Sequence, residues 1–230
     1  MGATIRDNLQ LVQERIEKAA QRAGRKPEEI ILVAVTKTVE VPRIWEAISA
    51  GVQHIGENRV QEAQEKIKDI GNKVTWHMIG HLQTNKVKQA LDLFQLIHSV
   101  DSLKLARELS KRAEAKNQTV DILIQINLAH EETKFGFPVE KIQENVQEIA
   151  ALPRLAIKGL MTIPPLAENP EHTRPYFKKL REISEELRKI PQVEMKFLSM
   201  GMTNDFEVAI EEGANMVRIG TAIFGPRPWQ

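Results

Sequence analysis

Hydrophobic and polar positions along this chain switch repeatedly between two periods, and that switching predicts its elements. Ile5, Leu9, Val12, Ile16 and Ala19 recur every three or four residues, which predicts an amphipathic helix stopped by Gly24. The next run, Ile30-Ile31-Leu32-Val33-Ala34-Val35-Thr36-Lys37, is apolar and β-branched until its last two positions. It reads as a strand buried on both faces, the pattern of a parallel sheet. Further strands are expected at 52–56, 75–80, 96–100, 120–127, 156–161, 197–199 and 215–220. Helical spacing lies between them, over 42–50 (closed by Gly51), behind Asn58, through Val87 and Leu91, from Asp101 or Ser102 to Ala115, over 139–151, 173–189 and 205–212.

Eight strands alternating with helices, without a linker, a repeat or a low-complexity segment, predict one domain over residues 1–230. Its expected fold class is α/β, a closed (β/α)8 barrel of TIM type with an additional N-terminal helix. An open doubly wound sheet would carry a Gly-rich first turn, and none follows Thr36-Lys37. Composition narrows the function classes. With 32 Lys and Arg against 31 Asp and Glu, no basic block and 5% aromatics, nothing points to nucleic acid or a membrane surface. The absence of cysteine excludes disulfides and thiol chemistry and fits a reducing cytoplasm. No stretch approaches the ~20 apolar residues of a membrane span. Asn117-Gln118-Thr119 matches a glycosylation sequon, and with no secretory signal it is read as chance.

Candidate chemistry gathers where barrels keep it, at the carboxyl ends of the strands. Alternation puts Ile31, Val33, Val35 and Lys37 on one face, so an inward face carries Lys37 into the barrel mouth. A lysine there is either an exposed strand cap or a desolvated amine able to form a Schiff base. The loops after the last two strands, 199–205 and 220–225, carry small residues and hydroxyls suited to a phosphate group. On the last strand Val217 and Ile219 suit the helix-facing side, which turns Arg218 inward. An inward arginine is expensive unless it binds something, a ligand or a carboxylate on another strand. His77 and His81 would sit ~13 Å apart along a strand, and His130-Glu131-Glu132 does not match a zinc motif, so no metal site is expected.

Six motifs in order complete the picture: Val-Ala-Val-Thr-Lys37, Gly56-Glu57-Asn58-Arg59, Trp76-His77-Met78-Ile79-Gly80-His81-Leu82-Gln83, Gly159-Leu160-Met161-Thr162, Leu198-Ser199-Met200-Gly201-Met202 and Val217-Arg218-Ile219-Gly220. Together they resemble the pyridoxal phosphate (PLP) homeostasis protein family. That family is similar in fold to the barrel domain of alanine racemase and lacks the racemase's second, β-rich domain. The resemblance implies PLP as cofactor, held as a Schiff base on Lys37. It implies phosphate contacts at Ser199, Gly201, Gly220 and Thr221, Arg218 at the pyridine nitrogen, and Asn58 and His77 lining the ring pocket.

PLP catalysis on amino acids needs a protonated ring nitrogen to accept carbanion electrons. An arginine cannot usefully give up its proton, so Arg218 would weaken that electron sink. A racemase also needs a second base, and the chain's one tyrosine, Tyr176, falls on the helix behind the sixth strand. The expected function is therefore intracellular PLP homeostasis, with no catalytic residues, a monomeric state and apo PLP-dependent enzymes as recipients. Two rivals stand beside it: a PLP-dependent amino acid racemase using Lys37 and a base such as His77, and a Schiff-base aldolase using Lys37 without cofactor.

Overall fold

A buried strand must hydrogen-bond on both edges, and a closed ring of strands meets that demand without leaving an edge. The computed structural model describes residues 3–129 and 135–226. In chain order the elements are α1 (Ile5–Arg22), β1 (Ile31–Val35), α2 (Val41–Ser49), β2 (His54–Glu57), α3 (Val60–Ile70), β3 (Thr75–Met78), α4 (Val87–Leu93), β4 (Leu96–Val100) and α5 (Leu103–Ala115). They continue with β5 (Val120–Asn127), β6 (Phe137–Pro138), α6 (Ile142–Ala150), β7 (Leu155–Met161), α7 (Arg174–Leu187), β8 (Phe197–Ser199), α8 (Phe206–Glu211), β9 (Met216–Ile219) and α9 (Thr221–Phe224). The strands pair in the order β4-β3-β2-β1-β9-β8-β7-β5, and a β4–β5 pairing closes the barrel. These pairings are all parallel.

Two apolar layers follow from strand alternation. Outward residues such as Ala34, Ile55, Leu160, Val217 and Ile219 pack against the helices in one large core. Inward residues Val33, Leu96, Leu123, Met161 and Met216 form a second cluster in the lumen, with Ile31 and Phe197 against it. The register sets Val33 of β1 opposite both His54 of β2 and Arg218 of β9. The opening helix is α1, fixed by a capping box in which Asp7 N–H donates to Thr4 Oγ1 (3.1 Å) and Thr4 N–H to Asp7 Oδ2 (2.9 Å). It packs late in sequence, through Asn8 Nδ2 to Ile223 O (3.0 Å) and Arg15 to Glu207 (2.8 Å).

The alternating architecture agrees with the sequence reading; several boundaries do not. β1 ends at Val35 rather than at Lys37, because Thr36 turns out of the strand and Thr38 takes a left-handed backbone with φ 62°. Residues 221–224, read as loop, form α9. The helix expected over 173–189 is α7, preceded by a 3-10 turn, Pro170–Thr173, that was not foreseen. The two-residue β6 was not foreseen. It adds to β5 beside the ring, with Ile126 opposite Phe137. A capping serine settles the start of α5: Ser102 Oγ accepts from Leu105 N–H at 3.3 Å.

A packed lumen makes its side chains costly to truncate. Leu123 is fully buried there, so Leu123→Ala is expected to lower the unfolding free energy by about 2–5 kcal/mol in urea titration. A loss below about 1 kcal/mol would mean that the lumen collapses around the gap.

Candidate cofactor site

The loops at the carboxyl ends of β1, β7, β8 and β9 enclose a cavity of about 330 Å³. Val35 and Lys37 line it from the first strand, Arg218, Gly220 and Thr221 from the last, and Met202, Thr203, Asn204 and Asp205 from the loop after β8. Pro165, Leu166 and Ala167 cover another side. Lys37, Arg218, Gly220 and Thr221, singled out from sequence, thus meet in one cavity. The two loops after β8 and β9 are tied together, since Ala222 N–H donates to Thr203 Oγ1 (3.4 Å). Gly201 shapes the turn into the first of them. Its φ is 92°, and a Cβ there would stand 2.6 Å from the Ala209 methyl, a place only glycine fills. Asp205 closes that turn by accepting from Met202 N–H at 2.7 Å. Burial pushes the Asp205 carboxyl up, against the pull of that bond and of Arg218.

Arg218 stands at the cavity floor, 4% exposed. Its guanidinium donates to Ser199 Oγ (2.6 Å) and to the Thr162 carbonyl (2.9 Å). Among the described residues no carboxylate forms an ion pair with it, so the alternative of a cross-barrel salt bridge does not apply. Burial pushes it down to about 10, which leaves it a cation at neutral pH. Below it runs a column of histidines. His98 Nδ1 lies 2.9 Å from Ser199 Oγ, His77 Nδ1 2.9 Å from His98 Nε2, and His54 Nδ1 3.0 Å from His77 Nε2. Burial drives all three pKa values down, His77 to about 3, and His98 is lowered further by Arg218 and His77. The column ends at half-buried His54, in a second cavity at the amino ends of β1 and β2.

Comparison with known proteins now decides the family. The family model described as alanine racemase, N-terminal domain, matches residues 7–228. A pyridoxal phosphate homeostasis protein from Aquifex aeolicus is 48% identical over 226 residues, 97% of this chain and 98% of that one. The protein of the same name from Escherichia coli K12 is 40% identical over 233 residues, 98% of this chain and 97% of that one. The chain belongs to the pyridoxal phosphate homeostasis protein family. Among solved structures, PipY of Synechococcus elongatus PCC7942 with PLP bound matches with a TM-score of 0.81 at 35% identity, covering 92% of this chain and all of that one (100%).

For a member of this family, the remaining expected residues occupy distinct places. Ser199 and His77 lie beneath the cavity, in the column rather than on the cavity wall. Gly201 is one residue short of the lining, its carbonyl accepting from Arg218 N–H at 3.0 Å. Asn58 lines a neighbouring cavity with Arg59, His81 and Lys86. His81 sits apart from His77, 2.7 Å from Asp101 and stacked on Phe135; His130-Glu131-Glu132 lies outside the described residues. Sequence reasoning passed over His54 and His98. The signal was a histidine inside each of two stretches read as strands, Val52 to Gly56 and Leu96 to Val100.

Buried neutral histidines make folding acid-sensitive with a definite sign. An unfolded histidine binds a proton below about pH 6.5, whereas folded His77 resists until about 3. Its contribution is therefore complete above about pH 6.5 and is lost as pH falls towards 3. His77→Gln is expected to flatten the fall in stability between about pH 7 and pH 5 by up to about 1.4 kcal/mol per pH unit. Urea titrations at the two pH values measure it, and parallel slopes for wild type and variant would contradict a neutral His77.

Proposed function

We propose that this chain binds pyridoxal 5'-phosphate in the cavity between β1 and β9, holds it covalently on Lys37, and serves intracellular PLP homeostasis rather than amino acid turnover. The observation that carries this reading is a buried guanidinium, without a carboxylate ion pair among the described residues, lining the same cavity as Lys37 in the turn after β1. The donor set suits the group. Thr203 and Thr221 bring hydroxyls for a phosphate, Gly220 keeps the wall narrow beside Val35, and Lys37 brings an amine. The names of its relatives and PLP bound in PipY support the same cofactor.

The group supplies an aldehyde that an amine can hold and a ring that can draw electrons from an attached carbon. The residues around the cavity direct it to the first use. Arg218, a cation at neutral pH, donates hydrogen bonds and cannot stabilise a proton on a ring nitrogen facing it. A racemase needs a second base opposite its lysine. The candidates for that role stand elsewhere: His77 in the column under the floor, and Tyr176 on α7 against the outer core. Asp205, the carboxylate in the cavity lining, is committed to the 202–205 turn. The reading extends to a cytoplasmic, monomeric protein whose recipients are apo PLP-dependent enzymes.

Three outcomes follow. Lys37→Ala should lose the borohydride-trappable attachment and keep weaker, phosphate-anchored binding; an intact covalent adduct in that variant would assign the amine elsewhere. PLP at a hundredfold excess over its dissociation constant should stabilise the wild type by about 2.7 kcal/mol, read as a rise in melting temperature. Wild type should leave the α-protons of alanine in deuterated water at the rate set by free PLP, and Arg218→Glu should exceed it per mole of PLP bound. Wild-type exchange on the order of 1 per second or faster would make the protein an enzyme.

A further inference from the structure

Lys37 lies in a turn whose last backbone tie to β2 is Thr36 N–H donating to Gly56 O (3.1 Å) and which Val39 N–H closes by donating to Thr36 O (2.9 Å). β1 has ended at Val35, and Thr38, a β-branched residue, sits at φ 62°. Such residues rarely adopt that conformation, and it persists only where the surroundings impose it. The surroundings here are a buried charge cluster behind the turn. Thr36 Oγ1 donates to Glu57 Oε1 (2.5 Å), and Thr38 N–H donates to Glu62 Oε1 (2.5 Å). Lys66 joins them, its Nζ donating to Thr36 O (2.6 Å), Glu57 Oε1 (2.7 Å) and Glu62 Oε1 (2.6 Å). Glu57 is fully buried and Lys66 is 5% exposed. Both residues flanking Lys37 are thus fastened to one ammonium and two carboxylates, none of which lines the cavity.

Burying these charges is poor value as stability, since desolvation offsets most of what the pairs return. Their geometry is specific instead to the turn: the cluster contacts it at Thr36 O, Thr36 Oγ1 and Thr38 N, on both sides of Lys37.

We propose that Glu57, Glu62 and Lys66 are positioning residues for Lys37, holding the strained Thr36–Thr38 turn so that the lysine amine faces the cavity. This rests on the reading that Lys37 is where PLP attaches. Glu62 is the member to remove first, because Glu57 and Lys66 then remain as a matched pair and the barrel keeps its fold. If the cluster acts by imposing the Thr38 backbone, a residue that adopts positive φ without strain should make Glu62 dispensable.

The test follows PLP attachment by borohydride quenching and intact mass, with melting temperature recorded beside it. Glu62→Ala should slow attachment about tenfold, the scale of one hydrogen bond to a charged group, with little change in melting temperature. Thr38→Gly added to Glu62→Ala should restore most of the rate, which a merely structural defect would not allow. Lys66→Met should slow attachment more and also lower the melting temperature, since it strands two carboxylates. A wild-type rate in Glu62→Ala overturns the inference alone, as does a slow rate that Thr38→Gly leaves unimproved. No adduct in the wild type overturns the PLP reading and this inference with it.

Discussion

Arg218 carries a guanidinium into a closed lumen where both of its protein acceptors, Ser199 Oγ and Thr162 O, are neutral. A buried cation draws on every dipole within reach, and much of the surrounding structure is arranged around that demand. Ser199 can accept from Arg218 because its own position is fixed by His98. His98 in turn is kept from protonating by its burial and by the cation itself. Above the guanidinium, the cavity offers the one remaining side, and the register of β9 with β1 brings the Lys37 turn to the same rim. The lumen is thereby divided lengthwise: a polar column from Arg218 and Ser199 through the histidines to His54 stands beside the apolar packing of Val33, Leu123 and Met216.

The histidine column adds a constraint of its own. A neutral imidazole has one N–H and one bare nitrogen. Three in a row must therefore point their protons the same way, either all towards Ser199 or all towards His54. Reversing one reverses the rest, so the hydroxyl beside Arg218 is coupled to the protonation pattern at the far end of the barrel. The Lys37 turn is held by a separate device, the charge cluster on β2 and α3, and the two share no residue.

Most of the fold could be read from sequence because the two signals it depends on are local. A β-branched run such as Ile31 to Val35 and a helical repeat such as Ile5 to Ala19 each declare themselves within a few residues. The inward arginine was legible for the same reason, since Val217 and Ile219 flank it on the outward face. What escaped depends on register between strands, which no single stretch encodes. The bonds of the Ser199 hydroxyl to Arg218 and His98 could not be read from its loop, because cross-strand geometry makes them. The place of His77 in the middle of a column likewise follows from pairing with β2 and β4. The end of β1 was misjudged because Thr36 and Lys37 continue the strand in pattern, while Glu57, Glu62 and Lys66 bend it away.

The bond between Asn8 and Ile223 spans 215 positions of the sequence, and Arg15 reaches Glu207 in the same way. An early element of the barrel therefore has most of its partners among late ones. At about 5–20 residues per second, α1 waits roughly 10–40 s before α8 and α9 exist. Through that interval its apolar stripe has α2 beside it but lacks α8 and α9, and the barrel cannot close because β9 is the bridge between β1 and β8. Synthesis of this chain is thus a race in which the amino-terminal helix must avoid other company until the carboxyl end arrives.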